Sequence, residues 1–271
     1  MTTKKKEVPF TIASFDIGIK NLAFCVMQYN PEEKEGKRYP ILEWKNIDLT
    51  DKDGLTDQFC SAYLKSKKDN DGNPVKCEKQ AKLEVDGLYY CAVHNPDKKK
   101  NVIKKKPKAY NIPLKTSCIN LVNRLDEFKD WWETKVDHVI IETQFTKNRK
   151  MICQSDLLYS YFIMKHILND DSRLSDVKFV SSRNKLKVYT GPAVTVNRKN
   201  AKDQRKLIAV EYCKYMIKLD KKNLAYLEKF PKKKDDLSDC FLQGAWYLKF
   251  AKHPKKGKEK EKVLKEITAS K

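Results

Sequence analysis

"TIASFDIGIKNLAF", residues 11–24, sets the organisation of the chain. Two apolar runs meet at Gly18 to Asn21, the pattern of a tight hairpin, and the first run carries one carboxylate, Asp16. An acid among Ile12, Phe15 and Ile17 loses hydration at a large cost unless it is paired, holds a metal, or sits at a strand end in water. The partner that the rest of the chain provides for Asp16 decides among these.

Outward from the hairpin, residues 39–47 (YPILEWKNI) read as a third strand, so that 10–17, 21–29 and 39–47 form a meander. Residues 51–111 change character, being polar and turn-rich with DNDGNP and the run KKKNVIKKKPK, as expected of an insertion followed by a basic linker. The pattern then becomes helical: Leu114, Cys118, Leu121, Leu125, Phe128 and Trp132 form an apolar stripe. DHVIIE (137–142) reads as a central strand buried on both faces and ending in Glu142. Residues 150–168 and 199–219 read as helices, 177–181 as a strand, and a last helix runs from near Asp235 to about Phe250. The expected fold is α/β, a mixed sheet flanked by helices. Its core spans 8–50 and 112–251, with an insertion at 55–97, a basic linker at 98–111 and a disordered lysine-rich tail at 252–271.

Lys and Arg outnumber Asp and Glu by 57 to 36 in 271 residues, a net charge of +21, which points to a polyanionic partner with nucleic acid ahead of a membrane surface. No run approaches the length of a membrane-spanning helix, and MTTKKKEVPF has neither a signal-peptide core nor an amphipathic leader, so a soluble intracellular protein without membrane or small-molecule cofactor is expected. Eight cysteines in such a chain read as thiols or metal ligands. Cys25, Cys118, Cys153, Cys213 and Cys240 lie in apolar periodic segments and suit buried thiols, leaving Cys60, Cys77 and Cys91.

Asp16, Glu142, Asp236 and Asp239 each stand at the end of a core element, and the i, i+3 spacing of the last two puts both on one helix face, away from Leu237, Phe241, Ala245 and Leu248. Four converging acids repel one another unless cations neutralise them, and an all-oxygen ligand set suits magnesium or manganese. Two such ions about 4 Å apart are the arrangement used for phosphodiester hydrolysis. The competing reading is that Asp235 or Asp236 caps the helix and Glu142 pairs with a lysine.

FDIGIKNLAF, IIETQ and KKKDDLSDC, in that order, resemble the landmarks of RuvC-type Holliday-junction resolvases, the last being similar to the K-K-D-D-x-x-D of the poxvirus and yeast-mitochondrial branch. The resemblance implies a ribonuclease-H-like fold, a homodimer, and metal-dependent symmetric nicking of four-way DNA junctions. It implies that Asp16, Glu142, Asp236 and Asp239 hold two magnesium or manganese ions, with Asp235 as a possible fifth acid. It also implies a catalytic lysine, Lys185 with Lys187 as its rival. Candidate DNA contacts beside these landmarks are Lys20, Gln144, Arg149, Arg183, Lys187, Lys233 and Lys234. The helix after Glu142 would serve the dimer interface, the core, or both. Such insertions occur in relatives from large DNA viruses, which would place the protein in a viral factory in the host cytoplasm or in the host nucleus, ahead of the mitochondrion.

Cys60, Cys77, Cys91 and His94 lie within 35 positions, and the Cys-x2-His pair makes a compact knuckle that Cys60 and Cys77 would complete as a Cys3His zinc site. A segment this polar cannot build its own core, so one structural zinc is expected. It would serve either a finger that grips a junction arm, with Lys98 to Lys100 and Lys104 to Lys106 behind it, or a purely structural clip. Two other functions remain open: another ribonuclease-H-like nuclease acting on RNA–DNA hybrids or transposon ends, and a non-catalytic zinc-containing DNA-binding protein.

Overall fold

The structure, a computed structural model, describes residues 9–50, 58–69, 72–79, 81–96, 111–144, 148–196, 200–230 and 233–251. The expected basic linker, apart from Asn111, and the tail at 252–271 lie outside the described residues.

Strands β1 (Thr11–Ile17), β2 (Asn21–Gln28) and β3 (Ile41–Asp48) form the antiparallel meander, and the first turn closes with the Gly18 N–H donating to the Asn21 carbonyl at 2.8 Å. The insertion holds four short strands that its polar composition concealed: β4 (Tyr63–Lys68) with β5 (Pro74–Lys76), and β6 (Leu83–Val85) with β7 (Leu88–Tyr90). Next come α1 (Leu114–Asp126), α2 (Lys129–Thr134), β8 (His138–Glu142), α3 (Arg149–Phe162), β9 (Asp176–Val180), α4 (Ala201–Met216), α5 (Lys221–Glu228) and α6 (Lys234–Phe250). The stripe read as one helix over 114–132 is two. The chain breaks at Glu127 and Phe128, and the Trp132 indole donates back to the Leu125 carbonyl at 2.9 Å across the break. Leu114 is exposed, while Leu121, Leu125 and Trp132 are buried.

The sheet order is β3-β2-β1-β8-β9, with β8 parallel to β1 and β9 parallel to β8. A three-strand meander extended by two parallel crossovers is the ribonuclease-H-like arrangement. Strand alternation divides the core into two layers. Ala13, Phe15 and Ile17 of β1, with Val139 and Ile141 of β8, pack against α1, α2 and α3 around Trp132 and Phe162. Ile12 and Ile140 pack on the opposite face with Leu237, Phe241 and Ala245 of α6 and Cys213 of α4. Asp16 and Glu142 share the parity of Ile12 and Ile140, so both side chains leave the sheet on the α6 side.

Three contacts bring the start of α6 to that spot. At Gly244 the helix lies so close to the sheet that an added Cβ would sit 2.5 Å from the Met27 sulfur and 3.1 Å from Ser14 Cβ. The Gln243 side-chain amide donates to Ser14 Oγ at 3.3 Å and to the Phe15 carbonyl at 3.4 Å, immediately beside Asp16. The Trp44 indole of β3 donates to the Leu237 carbonyl in the second turn of α6 at 3.1 Å. Of the cysteines expected in the core, Cys25, Cys213 and Cys240 are buried; Cys118 on α1 and Cys153 on α3 are half-buried and face one another.

Candidate active site

Register supplies the first two acids. Phe15 of β1 stands opposite Ile141 of β8 in the parallel pair, so Asp16 and Glu142 emerge next to each other at the C-terminal ends of both strands, close enough for Glu142 to disfavour the charge on Asp16. Burial, reinforced by the carboxylates of Glu142 and Asp239, holds the Asp16 carboxyl well above the usual carboxylate range. Asp239, one turn into α6, is pushed up from 3.8 to about 6 by burial, with Lys185 opposing the shift and Glu142 and Asp235 adding to it. One of its oxygens, Oδ1, is buried and has no hydrogen-bond partner among the described residues.

Lys185 enters this group from the 3-10 helix Ser182–Val188, which follows β9 and packs on α6. Its ammonium lies 2.7 Å from Asp239 Oδ2 and 3.5 Å from Glu142 Oε1. Burial alone would lower its proton affinity, but the carboxylates of Asp239, Glu142 and Asp16 outweigh that and hold Lys185 above its ordinary value. Lys187 is exposed and donates instead to Asn184 Oδ1 at 3.0 Å. The geometry thus sets the two lysines apart, and it also contains the ion pair between Glu142 and a lysine that the competing reading foresaw.

The first turn of α6 carries Asp235 and Asp236. The helix is capped at Lys233 without a side-chain cap, so neither acid acts as its cap, although both suit the positive end of the helix. Asp236 receives the Asn21 amide at 3.3 Å and lies 3.2 Å from the Lys233 ammonium, while Asp235 lies 2.5 Å from Lys206 of α4. The structure therefore gathers Asp16, Glu142, Asp239 and Lys185 into one cluster, with Asp235 and Asp236 along its outer edge. Both outer acids share a helical face with Asp239, being four and three residues away. Asn21 and Lys206 were missed from sequence: Asn21 lies within the motif but resembles a turn residue, and Lys206 is one lysine among many on a basic helix.

The remaining candidates are more scattered. Lys20 in the β1–β2 turn lies 3.3 Å from Asp48, and Gln144 donates to the Glu142 carbonyl at 3.1 Å. Arg149 at the start of α3 and Arg183 in the 3-10 helix are exposed. Lys234 is turned away from the acids to pair with Glu228 of α5.

The insertion holds a second group. The ligand atoms of Cys60, Cys77, Cys91 and His94 all lie within 4.8 Å of one another, with His94 Nδ1 at 3.5 Å from the sulfurs of both Cys60 and Cys91. Zinc–sulfur and zinc–nitrogen bonds of about 2.3 and 2.05 Å at the tetrahedral angle give a sulfur–nitrogen edge of about 3.6 Å, which these two sulfur–nitrogen distances match. Burial opposes the Cys91 thiolate, but the backbone N–H groups of His94 and Val93 and the thiols of Cys60 and Cys77 outweigh it, and Cys91 titrates below its ordinary value. Among the described residues its hydrophobic cluster consists of the three cysteines with Ala62, Leu64 and Tyr90 packed around them, a small apolar core.

A ribonuclease-H-like sheet with acids converging at the ends of its first and fourth strands and on its last helix defines a class of nucleic-acid-processing proteins. The family described as "Mitochondrial resolvase Ydc2 / RNA splicing MRS1" matches residues 12–151, more than half of the chain, and the chain belongs to that Holliday-junction resolvase family. A protein of Acanthamoeba polyphaga mimivirus named "Uncharacterized protein L451" is 27% identical over 316 residues, covering 88% of this chain and 74% of that protein. Among solved structures, the yeast mitochondrial Holliday junction resolvase Ydc2 is 17% identical with a TM-score of 0.45, covering 89% of this chain and 78% of that one. The fowlpox virus resolvase solved with Holliday junction DNA is 12% identical with a TM-score of 0.39, covering 88% of this chain and 97% of that one.

Proposed function

We propose that the chain is a metal-dependent endonuclease that nicks four-way DNA junctions, with Asp16, Glu142, Asp236 and Asp239 holding two magnesium or manganese ions and Asp235 in support. The observation that carries the reading is the buried acid cluster. Asp16 and Asp239 both bind protons far more tightly than free carboxylates, a standing electrostatic cost that a purely DNA-binding protein has no reason to bear. The unpartnered Asp239 Oδ1 and the all-oxygen donor set fit a hard divalent cation. Such ions, when bound, supply an activated water and neutralise the leaving oxygen.

The chain's own residues do the rest. The Asp16–Glu142 register fixes two donor groups on a rigid sheet, and α6 supplies the others from its first two turns. The Lys185 ammonium stands within the cluster, held protonated by three acids, where it would stabilise charge developing on the scissile phosphate. Lys20, Gln144, Arg149, Arg183, Lys187 and Lys233 serve as contacts to DNA around the cluster, with Lys234 held on Glu228 until substrate binds. A homodimer would present two such sites to opposing strands of a symmetric junction. One structural zinc on Cys60, Cys77, Cys91 and His94 folds the insertion at 55–97 as a unit apart from the core at 8–50 and 112–251. The mimivirus relative supports a viral source, with action in the viral factory or host nucleus.

The test compares a synthetic four-way junction, a linear duplex and an RNA–DNA hybrid, each with and without magnesium. Symmetric nicking of the junction alone, only with metal, is expected, and Asp16→Asn should bind the junction without cutting it. Preferential cleavage of the hybrid would move the chain to a different nuclease class, and normal cutting by Asp16→Asn would remove the site assignment.

A further inference from the structure

The insertion that holds the Cys60, Cys77, Cys91 and His94 group carries an exposed basic surface with an aromatic ring that the nuclease chemistry does not use. Strand β4 carries Tyr63, Lys65 and Lys67, Lys76 of β5 stands directly opposite Tyr63, and the register between the two strands shifts between Tyr63 and Lys68. All four side chains are exposed, Tyr63 by 54%, and the Lys76 ammonium lies 5.8 Å from the centre of the Tyr63 ring. Neither β4 (YLKSKK) nor β5 (PVK) contains a carboxylate, and none of these lysines forms an ion pair among the described residues. The ribbon therefore displays several exposed cations close to an exposed aromatic ring.

The metal group closes the base of this ribbon. Cys60 precedes β4 and Cys77 directly follows β5, and the two ends are cross-bonded from Cys77 N–H to the Ala62 carbonyl at 2.8 Å and from Cys60 N–H to the Lys79 carbonyl at 2.9 Å. A lone two-stranded hairpin is marginal in water, so a clamp at its base is what keeps the basic face presented. We propose that β4–β5 is a DNA-contacting arm, in which Lys65, Lys67 and Lys76 engage backbone phosphates and Tyr63 stacks on a base exposed at the branch. The proposal rests on the reading of the chain as a junction nuclease and assigns part of its substrate surface.

The test uses full-length, zinc-loaded protein. A Lys65→Ala/Lys67→Ala/Lys76→Ala triple variant and Tyr63→Ala are compared with wild type for zinc content, for affinity to a four-way junction and a linear duplex across a salt series without magnesium, and for cleavage rate at saturating junction. The triple variant should keep its zinc and its saturating rate, lose about tenfold or more in affinity, and show a salt slope shallower by about 0.9 for each phosphate contact removed. Tyr63→Ala should weaken junction binding more than duplex binding. Unchanged affinity and slope in the zinc-loaded triple variant would overturn the proposal, as would a loss confined to zinc-stripped protein. Weakened binding by the variants of a wild type that fails to cut would overturn the nuclease reading and leave the arm standing.

Discussion

Asp239→Asn is the sharpest probe of the acid cluster. Burial raises the Asp239 carboxyl from 3.8 to about 6, so the native state holds its proton more tightly than the unfolded chain. The stabilisation from that proton is complete below the unfolded value and is lost as pH rises through the folded one. At 1.36 kcal/mol per tenfold change in the equilibrium, the whole displacement is worth about 3 kcal/mol. Relative to pH 7.5, linkage returns roughly half of that by pH 5 and most of it by pH 4. Asparagine has nearly the same shape and no charge, so the variant lacks this pH dependence. The stability of Asp239→Asn minus that of wild type should therefore be more favourable at pH 7.5 than at pH 4 by about 2 kcal/mol, with the eased repulsion on Asp16 acting in the same direction and the lost contact with Lys185 adding a constant. Urea melts of zinc-loaded protein without added magnesium or chelator measure this, with slopes checked for two-state behaviour. A pH-independent difference would mean that Asp239 is not a strained buried carboxylate. Added magnesium should stabilise wild type and leave the variant largely unchanged.

The other predictions test separate parts of the account. Lys185→Ala should reduce the cleavage rate about 10²–10³-fold with junction affinity within a few-fold of wild type, whereas Lys187→Ala should leave the rate at saturation nearly unchanged, measured in single-turnover assays. Gly244→Ala forces a Cβ against Met27 and Ser14 and should cost about 1–3 kcal/mol in a urea melt. Trp44→Phe removes the indole bond to Leu237 and should cost about 1 kcal/mol while raising the magnesium concentration needed for half-maximal cleavage. Cys91→Ser should abolish zinc binding and amide-exchange protection over β4–β7 while leaving protection of β1, β2 and β8 intact.

Much of the molecule was legible because its signals are local. The two apolar runs along 11–28 with the turn between them, and the unbroken apolar run of HVIIE, identify the central strands, and the acids at the ends of those elements follow directly. The side-by-side emergence of Asp16 and Glu142 was not legible, since it depends on parallel register between strands more than a hundred residues apart. The position of Lys185 depends likewise on a seven-residue 3-10 helix with no periodic signature, and spacing alone left Lys187 as its rival. In the insertion, spacing pointed to the four residues that the fold brings together, but the two ribbons left no signal because cysteines, not aliphatic side chains, form their small core. Asn21 and Lys206 could be recognised only once α4 and α6 were placed.

By the proposed function, this acid cluster hydrolyses junction DNA with a divalent metal. A supercoiled plasmid extruding a cruciform measures it directly, because paired cuts across the junction give linear product and independent cuts give nicked circles. Wild-type protein with magnesium should give linear product, with none from Asp16→Asn or when magnesium is omitted. Linear product from Asp16→Asn, or an intact plasmid with wild-type protein at any magnesium or manganese concentration, would contradict the account.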